Sequence, residues 1–186
     1  MVGPLQVDLA KFLKPGHNVV SLTRPGESQT ASVQAVARYY IPWEQSSAKN
    51  KSGARTGDSD GLSLRVDYDH TTIQRDEVIH CKVHAERIGF RGYGMLLAEI
   101  GLPPAAVVDR DSLAQAMAGN TWEISQYEIQ PDRLVVYLSP KAGGTDFEFA
   151  FRPRYGMNAL TAPSVLYDYY NPEAQVVVQP SRIEVR

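Results

Sequence analysis

From residue 62 onward, short segments in which apolar and polar side chains alternate follow one another, separated by turn residues. In residues 62–68 the apolar positions 62, 64, 66 and 68 alternate with Ser63, Arg65 and Asp67, the period of two that a half-buried strand shows. The same interpretation fits the segments 78–88, 93–102, 122–129, 133–139, 146–154, 162–170 and 174–179, with a further candidate at 182–186. This part of the chain therefore predicts eight or nine strands.

One stretch between the third and fourth of these segments, residues 109–120, has helical character. Asp109 or Asp111 can cap its start, because an aspartate side chain accepts from free backbone N–H groups. Leu113 and Met117 are four residues apart and share a helix face, and Gly119 suits the position just after a helix. One short helix among so many strands predicts an all-β fold, an antiparallel β-sandwich with one inserted α-helix.

The first sixty residues have a different pattern. Two stretches, Val19–Leu22 and Ser32–Ile41, predict two further strands, and two strands alone are marginally stable in water. We therefore assign residues 1–43 to an incomplete β-domain. Residues 44–61 are polar, rich in Ser and Gly and without periodicity, which indicates a linker. The sandwich then occupies residues 62–186.

Composition narrows the classes of function. The chain has 186 residues and a formal charge of −2, without the clusters of Lys and Arg that nucleic acids and anionic membranes require. Its longest apolar runs, such as 95–98, are far shorter than the roughly 20 residues that span a bilayer. One cysteine, Cys81, rules out an internal disulfide. The first sixteen residues lack the apolar stretch of a signal peptide, so none is expected within them.

His80, Cys81 and His84 are side chains that bind metals, and their spacing decides whether they could form a site. On a strand the two histidines share a face, yet at about 3.3 Å per residue they lie roughly 13 Å apart. Cys81 points to the opposite face. We therefore predict two solvated histidines opposite a buried row of Ile79, Cys81 and Val83, and no metal site.

Other short motifs have weaker claims. In "DYDH" (67–70) an Asp-His pair could orient a general base, but a strand end followed by a polar turn explains it as well. "DSDG" (58–61) opens like a calcium loop without the later acidic ligands, and Asn50 begins a glycosylation sequon. The chain has no nucleophile elbow, phosphate-binding loop, dinucleotide-binding motif or zinc-protease motif. We expect no catalytic residue, cofactor or metal, and an enzyme is the least favoured class.

The stretch "SVLYDYYNPE" (164–173) packs three tyrosines, an aspartate and a proline into ten positions. In a strand, Val165, Tyr167 and Tyr169 face one way and Ser164, Leu166, Asp168 and Tyr170 the other, and the Asn171-Pro172 pair ends the pairing. Tyrosine rings bury much area while their hydroxyls reach the rim. A structural role explains most of this motif, and a partner surface is the alternative.

Five segments in fixed order resemble the C-terminal receptor-binding domain of the alpha-2-macroglobulin family: "GYGMLLAEIGLPP" (92–104), the capped helix, "YEIQPDRLVVYL" (127–138), "FEFAFRPRY" (147–155) and "TAPSVLYDYYNPE" (161–173). The resemblance extends over residues 62–186, and its signature strand comprises Tyr167, Asp168, Tyr169, Tyr170, Asn171 and Pro172. Residues 1–43 look like the end of the CUB-like domain that precedes it in such proteins.

The resemblance implies that this chain is a non-catalytic module of a large, exported inhibitor that traps endopeptidases, with an extracellular or periplasmic location. Its partners would be other domains of the same chain and, through the intact protein, proteases. The bait segment and any thioester would lie outside this chain, because Cys81 is followed by Lys82 and Val83. Within the family, this sequence looks more like the bacterial members.

In animal members the helix of this domain carries two lysines that dock a clearance receptor. The matching helix here has Arg110 and no lysine, so receptor binding is not expected. Arg110, Asp111 and Gln115 remain a candidate partner-binding face of this helix. The rival interpretation is a free-standing β-sandwich binding module, for carbohydrate for example, which exposed aromatic side chains in a groove would favour.

Overall fold

The computed structural model describes residues 6–23, 33–34, 36, 55–58, 61–89 and 94–186. The chain divides into two units, residues 1–40 and 41–186. In the first unit the described residues form a short 3₁₀ helix, Ala10–Phe12. The strand predicted at Val19–Leu22 is not formed, and Val19 and Leu22 are exposed. The strand predicted at Ser32–Ile41 lies outside the described residues except for 33, 34 and 36.

The second unit is built from strands and, within the described residues, one α-helix. The helix α1 is Arg110–Gly119. The strands are β1 Arg55–Asp58, β2 Leu62–Tyr68, β3 Thr72–Ile73, β4 Ile79–Arg87, β5 Leu96–Gly101, β6 Ala106–Val108, β7 Ile124–Ile129, β8 Arg133–Leu138, β9 Thr145–Pro153, β10 Met157–Leu160, β11 Ser164–Asp168, β12 Gln175–Val178 and β13 Arg182–Val185.

These strands form three sheets. The first sheet has the order β1-β2-β4-β9-β6, the second β12-β11-β5-β8-β7 and the third β10-β13-β3. The pairs within the two five-stranded sheets are antiparallel, whereas β13 and β3 are parallel. The predicted antiparallel β-sandwich with one inserted helix is therefore confirmed.

The core lies between the inner faces of the two large sheets. Alternate residues of β4 and β9 point into it, and Phe149 and Phe151 are fully buried beside Ile79 and Cys81. From the second sheet, Leu134 and Leu166 meet them. Burying a Leu or Phe side chain contributes about 1.5–3 kcal/mol, so these alternating rows stabilise the sandwich. The predicted buried row on β4 is confirmed, whereas of the two histidines predicted to be solvated His80 is exposed and His84 is half-buried.

Four strands escape the sequence prediction. Three of them, β3, β6 and β10, have two to four residues, too few for a period of two to be recognised. The fourth, β1, lies in the stretch predicted as a linker and pairs with β2 from Arg55↔Val66 to Asp58↔Ser63. The linker prediction is therefore wrong for residues 55–58, because backbone pairing with β2 orders a segment that has no apolar pattern.

Helix α1 follows β6 and begins where the sequence places it. Asp109 is the N-cap, and its side chain accepts from the Asp111 N–H at 2.9 Å. Leu113 is buried and Met117 packs against the core, which confirms the predicted shared face. Gly119, expected just beyond the helix, is instead its last residue, and Asn120 forms the C-cap.

Candidate functional site

The first half of "SVLYDYYNPE" forms β11 and the second half forms a turn. Leu166 is buried in the core, while Val165 and Tyr167 are half-buried on the outward side, as the alternation predicts. The strand ends at Asp168, before the predicted Asn171-Pro172 stop. The reason is local: Asp168 Oδ1 accepts from the N–H groups of Tyr170 at 2.8 Å and Asn171 at 3.2 Å, which bends the backbone out of the sheet. Alternation therefore does not apply to Tyr169 and Tyr170.

The turn is fixed to the first sheet by an ion pair. Arg87, the last residue of β4, donates from Nη2 to Asp168 Oδ2. The exposed fractions of the two side chains are 25% and 14%. Burial raises the pKa of Asp168, but the hydrogen bonds from Arg87 and from two backbone N–H groups outweigh it and hold this pKa below its ordinary value. At neutral pH the aspartate is charged and joins the two sheets.

The turn presents two tyrosines next to a shallow groove. Tyr169 is 49% and Tyr170 74% exposed, and their rings meet edge to face with centroids 5.1 Å apart. The groove has a volume of 380 Å³ and is lined by Gly61, Leu62, Arg87, Asp168, Glu173, Ala174 and Gln175. None of these lining residues is aromatic. The groove therefore lacks the stacking platform that the carbohydrate interpretation calls for.

The outward face of the second sheet carries a hydrogen-bonded network that the sequence did not reveal. Tyr167 donates from its hydroxyl to Glu99 at 3.1 Å, and Glu99 also accepts from Arg133. Arg133 pairs in addition with Asp132, from Nε at 3.0 Å and from Nη2 at 2.9 Å. Burial, followed by the charge of Glu99, raises the pKa of Tyr167 to about 12, so this phenol keeps its proton at every physiological pH.

The candidate partner-binding residues of α1 lie on its exposed side. Arg110, Asp111 and Gln115 are all exposed, while Leu113 faces the core. Asp111 belongs to the first turn, where a negative charge interacts favourably with the positive end of the helix dipole. The structure places these three residues on the same helix.

The histidines occupy the outer face of the first sheet. His80 Nδ1 lies 3.0 Å from Glu148 and His84 Nδ1 2.9 Å from Asp146, each across the β4–β9 pair. In "DYDH", the Asp69 side chain accepts from the backbone N–H of His70 and of His80, which fits the polar turn at a strand end. Among the described residues, no group of three or more potential ligands could hold a metal ion.

The fold and this turn define a class: an all-β sandwich in which, within the described residues, one helix connects β6 of the first sheet to β7 of the second, with a tyrosine-rich turn after the penultimate strand of the second sheet. Residues 92–181 match the family model described as the A-macroglobulin receptor binding domain. A search of curated proteins gave no match. Over residues 92–181 the chain is therefore similar to alpha-2-macroglobulin receptor-binding domains.

Solved structures with this fold come from bacterial alpha-2-macroglobulins. A native Escherichia coli alpha-2-macroglobulin, spanning domain MG7 to the C-terminus, has a TM-score of 0.57 at 10% identity over 70% of this chain and 24% of that one. A Salmonella alpha-2-macroglobulin mutant gives 0.58 at 14% identity over 72% and 10%. Escherichia coli alpha-2-macroglobulin activated by porcine elastase gives 0.57 at 11% identity over 70% and 13%. The chain thus spans a quarter or less of the length of these three alpha-2-macroglobulin chains.

Proposed function

We propose that this chain is the C-terminal, non-catalytic module of an alpha-2-macroglobulin-like endopeptidase inhibitor. The observation that carries the proposal is the match of residues 92–181 to the receptor-binding family model. Two further observations support it: the same sandwich occurs in alpha-2-macroglobulins, one of which is activated by elastase, and those proteins are several times longer than this chain. The bait segment and any thioester then belong to other parts of the intact protein.

The chemistry of the described side chains agrees with a module that does not catalyse. Cys81 is fully buried in the core, and burial, together with the nearby carboxylates, raises its thiol pKa well above the ordinary value. A thiol that stays protonated and inaccessible is a poor nucleophile. His80 and His84 each contact a carboxylate on β9, and these pairs lie on the sheet face away from Cys81.

The proposed partners are the other domains of the same chain, and proteases through the intact protein. We place the contact at the turn that follows β11, because Tyr169 and Tyr170 expose aromatic surface next to the Arg87–Asp168 ion pair. Exposed tyrosines are enriched where proteins meet. The helix residues Arg110, Asp111 and Gln115 form a second candidate surface.

An inhibitor that meets foreign proteases would act outside the cell or in the periplasm. None of the helices in the described part of the chain is long and apolar enough to cross a membrane.

The first test is the size and location of the native protein. An antibody raised against residues 62–186 would be used on periplasmic, secreted and cytoplasmic fractions of the source organism. We expect an exported band several times larger than this chain. A band of the chain's own size would contradict the proposal, and binding of that species to an oligosaccharide would favour the rival carbohydrate module.

The second test uses the intact protein and elastase. Cleavage of an inhibitor of this class should leave elastase trapped with the protein in one high-mass species on native gels. Replacing Tyr169 and Tyr170 together by Ser should change the stability of the uncleaved protein or the amount of elastase that it traps once cleaved. Tyr155→Ser serves as the control, because Tyr155 is a similarly exposed tyrosine (63%) outside the turn. Free elastase in the presence of excess intact protein would refute the inhibitor role.

A further inference from the structure

The outward face of the second sheet is organised in two rows that cross all five strands. The strand registers align the first row as Gln175, Tyr167, Leu97, Tyr137 and Gln126. They align the second row as Val177, Val165, Glu99, Val135 and Glu128. We call these two rows the tyrosine face. Their neighbours along each strand, such as Leu96, Val136 and Leu166, lie in the core, so the rows point outward.

The tyrosines of the first row lean across the face. Tyr137 donates from its hydroxyl to Glu128 at 2.9 Å, and Tyr167 donates to Glu99 at 3.1 Å. Each bond runs from the first row to the second, so each ring extends along the sheet surface instead of standing upright on it. Leu97 lies between the two tyrosines and is only 6% exposed although it is absent from the core cluster. Ring surface therefore forms much of what this face presents.

The charges on this face are unequal. Arg133 is the cation of the network and is already held by Glu99 and Asp132. The nearby Lys141 is paired with Glu123 at 2.9 Å. Glu128 is exposed, and among the described residues it has the Tyr137 hydroxyl and the Gln126 amide as partners but no cation. Three carboxylates and one guanidinium leave the face negative around an exposed glutamate.

Flat ring surface beside a carboxylate that has no cationic partner among the described residues is complementary to one kind of side chain. A guanidinium group is planar and cationic, stacks on tyrosine rings and donates to a carboxylate in the same plane. A lysine would supply the charge without the stacking, and a sugar would stack without using the charge. We propose that the tyrosine face is a docking surface for an arginine-bearing protein segment, with Tyr137 as the stacking platform and Glu128 as the ion-pair partner.

The inference does not depend on the proposed inhibitor function, since it rests on this face alone. It can be tested on the 186-residue chain with a capped peptide of four Gly-Arg repeats, followed by amide chemical-shift titration. We expect shifts concentrated on β7, β8 and the facing part of β5. The same peptide with citrulline in place of arginine keeps the shape and loses the charge, and it should bind about fivefold or more weakly.

Two variants with the same change of charge distinguish peptide binding at the tyrosine face from attraction of the peptide to the overall charge of the protein. Glu128→Gln keeps an acceptor for Tyr137 and removes the charge, and it should weaken binding of the arginine peptide about fivefold. Glu148→Gln removes a carboxylate from the outer face of the first sheet, where it pairs with His80, and it should change binding less than about twofold. Tyr137→Leu, checked for folding by circular dichroism, should weaken binding by a similar factor to Glu128→Gln.

Equal effects of Glu128→Gln and Glu148→Gln would overturn the proposal, because they would show attraction to overall charge. Shifts centred on the first sheet, or equal binding of the citrulline peptide, would do the same. Titration with cellohexaose provides the remaining comparison: shifts on the tyrosine face with this sugar and none with the arginine peptide would assign the surface to carbohydrate instead. If Tyr137→Leu fails to fold, the two glutamate variants still decide the outcome.

Discussion

Replacing Asp168 by Asn tests whether the ion pair to Arg87 holds the tyrosine-rich turn against the first sheet. The substitution keeps the size of the side chain and an oxygen that can accept from the Tyr170 and Asn171 N–H groups. It removes the negative charge that Arg87 faces. The two side chains are 14% and 25% exposed, so Arg87 would keep a largely desolvated charge without a counterion.

The loss of stability that we expect for Asp168→Asn follows from the burial of this ion pair. An exposed ion pair contributes about 0–1 kcal/mol, and breaking a fully buried one costs about 3–5 kcal/mol. Since this pair is mostly but not completely buried, we expect Asp168→Asn to lower the free energy of unfolding by about 2 kcal/mol. Asp168→Ala also removes the acceptor for two backbone N–H groups, so it should cost about 1–2 kcal/mol more.

Urea denaturation followed by circular dichroism would measure these changes. Arg65→Met is the matched control, because Arg65 and Asp67 form a pair whose side chains are 52% and 37% exposed, and its effect should stay below about 0.5 kcal/mol. The double variant Arg87→Met with Asp168→Asn should be more stable than the sum of the single losses predicts, since no unpaired charge remains. Strict additivity, or an Asp168→Asn effect as small as that of the control, would refute the reasoning.

The same pair has a definite pH dependence. The folded-state pKa of Asp168 lies below the ordinary value of 3.8. Its stabilisation is therefore complete above the unfolded pKa and is lost as the pH falls through the folded one. The stability difference between the parent chain and Asp168→Asn should be constant from pH 5 to 7, to within about 0.5 kcal/mol, and should shrink below about pH 4. A difference that persists unchanged at pH 2 would show that the charge is not its source.

Three further predictions concern other contacts. Ser164→Ala should cost about 1–2 kcal/mol in urea denaturation, because the Gly101 N–H, which donates to Ser164 Oγ at 2.9 Å, would be buried without an acceptor. The pKa of Tyr167 is raised to about 12 from 10.0, so the stability that it contributes is complete below pH 10 and is lost as the pH rises towards 12. Absorbance at 295 nm should show a late-titrating component that Tyr167→Phe reduces, and an unchanged titration would contradict this. The Cys81 thiol should react with a disulfide reagent no faster than the sandwich unfolds, because burial and nearby carboxylates raise its pKa; rapid labelling in buffer with the parent circular dichroism spectrum would contradict its burial.

The sequence predicts most long strands because each has one face in the core. In β4, where Ile79, Cys81 and Val83 alternate with His80 and His84, the period of two is complete and the strand and its faces were predicted correctly. Strand β1 has no apolar alternation and is ordered by backbone bonds to β2, so its own side chains give no signal. Short strands and backbone-driven strands are the elements that a pattern of side chains does not reveal.

Within "SVLYDYYNPE", the alternation gives the right answer up to Asp168 and fails beyond it. Proline ends strand pairing, and the Asn171-Pro172 pair was therefore predicted to be the end of this strand. The side chain of Asp168 acts earlier, because its Oδ1 accepts from the N–H groups of Tyr170 and Asn171 and so bends the backbone into a turn. Its second oxygen is taken by Arg87, which is 81 residues away in the chain and which nothing in the local sequence designates.

The tyrosine face shows that the side of a strand on which a residue lies can be predicted from the sequence, whereas its contacts with residues of other strands cannot. Alternation alone places Tyr137, Tyr167 and Glu99 on one side of their strands. Whether a tyrosine reaches a glutamate depends on the register between strands, which places Leu97 opposite both Tyr137 and Tyr167 and sets Glu99 one row further along. A shift of β11 against β5, or of β7 against β8, by two residues would preserve every inward and outward assignment while breaking the tyrosine–glutamate bond between those two strands. The face therefore arises from cross-strand register, and substitutions that test it must leave that register unchanged.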